Sequence, residues 1–137
     1  RVVIREYRAA VLDRLAPWRV VDDRSRVADK VWPAPWLVVD FPPPLRASDR
    51  WEASGQHRVV GWFQTSAVGE DQFHAGALHD AVADVLVDWV PLVPGWTVWP
   101  VEMDTAPRLL GWDRTVPDRV LVQVVTRWSW TATRALP

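Results

Sequence analysis

The residues able to do chemistry are few and poorly grouped. His57, His74 and His79 are the three histidines, and no cysteine accompanies them. A chain without thiols has no disulfide framework, thiolate zinc site, iron–sulfur cluster or cysteine nucleophile. His57, Ser66 and one of the many aspartates offer the residue types of a base, nucleophile and orienter. No G-x-S-x-G elbow or comparable local pattern gathers them. His74 and His79 are five apart, on different faces of a helix, so with Asp80 or Asp84 they make at most part of a metal site. The i, i+4 spacing of H-E-x-x-H is absent. Both read first as structural, His74 at a helix start and His79 beside a buried stripe. Gly69, Gly76, Gly95 and Gly111 never reach G-x-G-x-x-G or Walker spacing, so no backbone cradle for a phosphate is expected. The residues predict no catalysis, no cofactor and no metal.

Charge narrows the partners. With 16 basic and 17 acidic residues the formal net charge is -1, which argues against a face built to grip nucleic acid, since phosphate contacts supply most of that affinity. No run approaches the roughly 20 apolar residues that span a bilayer. The start, Arg1 to Arg8, is charged and amphipathic and lacks the apolar core of a signal peptide. A soluble, non-secreted protein is expected. A chain of 137 residues buries roughly 68–70% of its unfolded surface, enough for one core and too little for two. One domain spanning residues 1–137 is expected.

The elements follow from hydrophobic period. Ile4, Tyr7, Val11, Leu12 and Leu15 share one helical face, predicting a first helix that ends before Pro17. Trp18 to Val21 is a short β-prone run, followed by a charged connection at Asp22 to Arg26. Trp36 to Phe41 is a short apolar strand stopped by Pro42, Pro43 and Pro44. After a polar loop from Leu45 to Gln56, the run His57 to Val68 forms a second strand, antiparallel to the first. An acidic start at Gly69 to Gln72 leads into a helix to Asp88, with Leu78, Val82, Val85, Leu86 and Trp89 as its apolar stripe. Asp80, Asp84 and Asp88 recur on a neighbouring stripe, which reads as a solvated face. Thr97 to Glu102 is a short strand that Pro100 confines to an edge or a bulge. Asp104 to Asp118 is a polar loop, and Arg119 to Thr133 is a long strand with one core side and one partly wet side. The sum is an α/β (α+β) single domain, with a mostly antiparallel or mixed sheet packed against two helices.

Eleven tryptophans are many for this length. Fifteen Arg against one Lys, with one Ile, one Tyr and no Asn, resemble a GC-rich coding bias that also raises Trp. Trp36, Trp62, Trp89 and Trp128 fall where core burial accounts for them. Trp51, Trp112 and Trp96 are left as a surplus, and Trp with Arg is the composition of interface anchors. A carbohydrate-binding module using exposed Trp stays open as an alternative, as does a small adaptor protein.

The segment pattern resembles the tail terminator (tail completion, head-to-tail joining) proteins of long-tailed bacteriophages, as in those of actinobacteria. The resemblance rests on the strand Pro35 to Val39, the strand closing Trp62 to Gly69, and the following helix with Ala77, Leu78, Ala81, Val82, Ala83, Val85 and Leu86. It continues through Trp99, Pro100 and Val101 to the strand Val120 to Thr133. It implies a non-enzymatic virion protein that forms a ring, typically a hexamer, on the end of the tail tube. The ring stops polymerisation and presents the head-joining surface. Implied partners are copies of itself, the tail tube protein and the head-tail connector. No membrane is involved, and DNA is only passing cargo. Localisation would be the head-proximal end of the virion tail, after assembly in the host cytoplasm. Candidate ring contacts are Arg5 and Arg8 on the first helix, Trp51 in the first loop, and Trp112 and Arg114 in the second, since loops on a rigid scaffold carry binding. Asp80, Asp84 and Asp88 are candidates for the duct lining, where DNA must pass without sticking.

Overall fold

A computed structural model describes residues 3–21, 35–42, 56–111 and 120–135. The element order is α1 (Val3–Arg14), β1 (Val20–Val21), β2 (Trp36–Asp40), β3 (Gln56–Gly69), α2 (Gln72–Leu86), β4 (Thr97–Val98), β5 (Glu102–Met103), β6 (Arg108–Gly111) and β7 (Val122–Ala135). The strands form one mixed sheet in the order β1-β2-β3-β7, and β4, β5 and β6 line the far edge of β7 in turn. Only β1 and β2 run parallel; the expected antiparallel pairing of β2 with β3 is present, with Trp36 opposite Val68. This is the α+β architecture read from the sequence.

The spine is the β3–β7 ribbon, paired without a bulge from Gln56↔Ala135 to Gly69↔Val122. Because side chains alternate across a strand, one face takes Val59, Gly61, Phe63, Thr65 and Ala67 with Val124, Thr126, Trp128, Trp130 and Ala132, all buried. Both helices cover this face. Tyr7 and Val11 of α1, Leu15 just past its end, and Ala75, Leu78, Val82 and Leu86 of α2 join the same cluster. Their spacings of three and four are the stripe of a one-sided helix. The opposite face is dry at one end, where Val21, Trp36, Val38, Val68 and Leu121 form a second cluster. It is half-exposed at the other, where Arg58, Trp62, Gln64, Arg127, Ser129 and Thr131 stand.

Aromatic geometry organises the core. Tyr7 stacks on Trp130 at 4.3 Å between centroids, and Phe63 lies 5.0 Å from Phe41. The Trp128 indole N–H donates to Thr65 Oγ1 at 2.9 Å, which fixes the ring's orientation and satisfies its polar atom. The two helices are tied at their ends. Arg14 Nε donates to the Val85 carbonyl at 3.0 Å, and its guanidinium sits 5.3 Å from the Trp89 ring centre. Among the described residues, the Tyr7 hydroxyl and the Trp130 indole nitrogen are buried without a partner, and burial holds the Tyr7 pKa well above the usual phenol value.

Helix α2 begins as expected and stops earlier than expected. The Asp71 side chain accepts from the His74 backbone N–H at 2.8 Å and from His74 Nδ1 at 2.8 Å, so Asp71 is the N-cap. Those bonds hold the Asp71 carboxyl below its ordinary pKa, the backbone one contributing most. The helix ends at Leu86, not Asp88: Val87 already turns extended at φ -61, ψ 127, and Asp88 follows at φ 61, a conformation Asp tolerates better than most residues. The Asp88 N–H then donates to Val101 O at 3.1 Å, and Val101 N–H donates to Trp89 O at 2.8 Å. Asp88 therefore leaves the helical row, and only Asp80 and Asp84 lie on it.

Two further readings are refined. The strand expected over Thr97 to Glu102 is split into β4 and β5. Trp99 still pairs, its N–H donating to Thr131 O at 3.0 Å, but Pro100 has no N–H to offer. Val101 turns inward to full burial, and the register against β7 slips from Thr97↔Thr133 to Glu102↔Ser129. This is the bulge that Pro100 predicts. The expected Asp104 to Asp118 loop instead contains β6, which pairs with β7 from Arg108↔Val125 to Gly111↔Val122. All four β6 residues are exposed, so no buried face gave this strand an alternating pattern to read.

Candidate interaction surface

Among the described residues, Ser66, His74 and His79 stand on different parts of the fold. Ser66 is fully buried on the dry end of the outer face. His79 is buried on α2 with Nδ1 3.4 Å from Thr126 Oγ1, and His74 serves the helix cap. The side chain of His57 lies outside the described residues. Among the described residues no group of three or more His, Asp or Glu is placed to hold a metal ion, and no helix is long and apolar enough to cross a membrane.

His79 has a measurable consequence for stability. Burial pushes its pKa below the usual 6.5, and the nearby Asp80 pulls it partly back. The folded state thus binds the proton less readily than the unfolded state, so the stability His79 allows is full above pH about 6.5 and shrinks as pH falls below it. Urea midpoints measured from pH 8 to pH 5 are expected to fall more steeply for the wild type than for His79→Gln. Equal slopes would place the pH dependence elsewhere.

The half-exposed end of the outer sheet face is the surface with the most prearranged polar chemistry. The Arg127 guanidinium lies 4.8 Å from the Trp62 ring centre and bridges Asp104, Nε to Oδ2 at 3.0 Å. Asp104 is itself positioned by its backbone N–H donating to Arg127 O at 2.8 Å. Such a clamp holds two long side chains in one rotamer and lowers the entropy lost when a partner arrives. Beside it, the break between β4 and β5 opens a cavity of about 350 Å³ whose lining includes Arg58, Trp99, Pro100, Glu102, Ser129 and Thr131. The Trp99 side chain is 55% exposed. At the other end of the ribbon, Phe73 in the first turn of α2 is 76% exposed and meets only its neighbour His74 edge-on at 5.6 Å among the ring contacts.

The residues singled out from the sequence are placed unevenly. Arg5 is exposed on α1, whereas Arg8 is half-buried and already engaged. Asp80, Asp84 and Asp88 are all exposed. Trp51, Trp112 and Arg114 lie outside the described residues. Trp96, counted as surplus, packs against the core with the Arg134 guanidinium 4.7 Å from its ring centre. Trp62, assigned to the core, is instead half-exposed on the outer face. Sequence reasoning missed Trp99 and Phe73 as exposed aromatics. The signal for Trp99 was its place before Pro100, since a bulge turns one neighbour in and leaves the other out.

No protein-family model matches the chain, and no curated protein sequence does. Among solved structures, the fold is similar to that of a chain in the virion of a native gene transfer agent (GTA) particle, with a TM-score of 0.63 over 92% of this chain and 93% of that one. The identity is 17%, so the likeness is one of fold.

Proposed function

We propose that this chain is a structural virion protein that caps a phage-type tail tube as a ring, stopping tube polymerisation and forming the surface that joins the head. The observation that carries the reading is the fold likeness to a gene transfer agent virion chain across nearly the whole of both chains. The arrangement of side chains agrees with it. Ser66 and His79 are buried and His74 is spent on the helix cap, while the Trp62–Arg127–Asp104 clamp, Trp99 and Phe73 face outward. Exposed aromatics and arginine on rigid elements are the chemistry of protein–protein anchors. A ring requires two unlike patches per subunit that meet head to tail. In this reading Arg5, Arg8, Trp51, Trp112 and Arg114 contribute ring or stacking contacts, and Asp80, Asp84 and Asp88 contribute to the duct.

The test is to mix the purified protein with purified tail tubes and image them. Capped tube ends of fixed length are the expected result. Uncapped tubes that keep growing in its presence, together with specific binding on a glycan array, would replace the terminator reading with a carbohydrate-binding one.

A further inference from the structure

We infer that the cavity at the break between β4 and β5 is a binding site for a neutral saccharide, one sugar ring stacking on Trp99 and bonding to the hydroxyls of β7 and the Glu102 carboxylate. The inference is independent of the tube-capping reading. It begins at the bulge. Val101 gives its N–H to Trp89 O and not to β7, and the register slips between Thr97↔Thr133 and Glu102↔Ser129. The space left there is about 350 Å³, within the roughly 300–1,000 Å³ of small-molecule clefts.

The floor of that space is a row of hydroxyls without work. Ser129, Thr131 and Thr133 alternate along β7, so their side chains share the outer face, and all three line the cavity. Among the described residues none of these hydroxyls has a hydrogen-bond partner. Thr133 is the telling one. It is only 9% exposed, and a hydroxyl so far from bulk water ordinarily pairs. A serine or threonine hydroxyl donates once and accepts twice, as does each hydroxyl of a sugar, so site and ligand match group for group.

The wall supplies the rest. Trp99 lines the cavity, is 55% exposed, and has no stacking or cation partner among the described residues. The C–H face of a sugar ring is apolar, and an indole covers such a face while leaving the hydroxyls at its rim. Charge then selects among the ligands that stack on Trp. Arg58 is already engaged, whereas Glu102 lines the cavity with no ion pair among the described residues. A carboxylate accepts hydrogen bonds from sugar hydroxyls and repels phosphate or a second carboxylate. Nucleotides and acidic sugars are therefore disfavoured, and a neutral ring is preferred.

The test is saturation-transfer NMR of the full chain with glucose, galactose, mannose and N-acetylglucosamine, followed by an array presenting the same rings at glycan ends. The first detects a site for a free sugar, and the second a site that needs the chain terminus. At least one of these rings is expected to bind, and glucuronate and glucose 6-phosphate more weakly. Trp99→Ala is expected to lower affinity roughly tenfold, the scale of losing one stacked ring. Thr133→Val keeps the shape and removes the hydroxyl, so affinity is expected to fall about threefold or more while Tm stays level or rises. The inference is overturned if no neutral ring binds in either format, if glucuronate binds as tightly, or if both variants bind like the wild type. A Tm lowered by Thr133→Val would also overturn it, because the hydroxyl would then have a partner already. Tube capping without sugar binding removes this inference and leaves the ring reading; sugar binding without capping does the reverse.

Discussion

Trp130→Ala is expected to lower stability by about 3–5 kcal/mol, the cost of removing a large aromatic from a packed core. That is a large share of the roughly 5–15 kcal/mol that holds a typical domain together, so a drop in Tm on the order of 10–20 °C should accompany it. The magnitude follows from the ring's position. Trp130 is 1% exposed, stacks on Tyr7 at 4.3 Å on one side, and lies over Gly61 of the paired strand. A Cβ at Gly61 would approach the indole atoms to 2.7 Å, too close for any real contact, and Tyr7 blocks the ring from yielding. Gly61→Ala is therefore expected to cost about 1–3 kcal/mol through overpacking.

The two substitutions should be strongly non-additive. With Trp130 already Ala, the space above Gly61 is open and Ala at that position restricts the unfolded chain more than Gly does. Gly61→Ala should then become neutral or stabilising by about 0.5–1 kcal/mol. Urea unfolding of the four proteins measures the coupling directly. An equal cost of Gly61→Ala in both backgrounds would mean that the strand, and not the ring, requires the glycine.

The second large effect is expected at Gly69→Ala, where the obstacle is backbone. The added Cβ would lie 2.6 Å from Ala75 N and 3.1 Å from His74 C, so the first turn of α2 has to move away from the end of β3. Main chain cannot change rotamer as a side chain can, and a loss of about 1–3 kcal/mol is the expected minimum. Hydrogen exchange should report faster opening of the amides from 72 to 76. Gly76→Ala is the internal control. Nothing lies within 4 Å of its Cβ position and it is a helix interior residue, so a gain of about 0.5–1 kcal/mol is expected. A loss at Gly76 equal to that at Gly69 would show that helix backbone in general, and not the β3–α2 junction, resists substitution.

The contrast between these glycines shows where the sequence is informative. Local pattern alone placed α1, β2, β3, α2 and β7: the helices repeat apolar residues about every 3.6 positions, the long strands about every two, and β2, buried on both faces, is a continuous apolar run. Tyr7, Val11 and Leu15, or Val124, Thr126, Trp128 and Trp130, carry that requirement openly. The strand stop at Pro42, the acidic entry to α2 and the bulge at Pro100 were likewise legible, since each depends on the chemistry of one or two residues; that Asp71 is the cap itself came from the structure.

What the sequence could not express depends on pairs of residues far apart in the chain. β6 is exposed on all four residues and exists only because β7 offers it an edge, so no hydrophobic period marked it. The end of α2 is decided by Val101, which draws Asp88 and Trp89 into backbone pairing. Burial of the tryptophans on β3 and β7 was decided by strand parity in the assembled sheet: Trp128 and Trp130 turn to the helices, while Trp62, on the opposite parity of β3, meets Arg127 on the outer face. The same parity and register, set by fourteen-residue pairing of β3 with β7, put Phe73 and the Trp99 cavity at opposite ends of the molecule. Composition determined that this chain would carry many indoles. Only the tertiary structure decided which of them water still touches, because that depends on long-range pairing and not on neighbours in the chain.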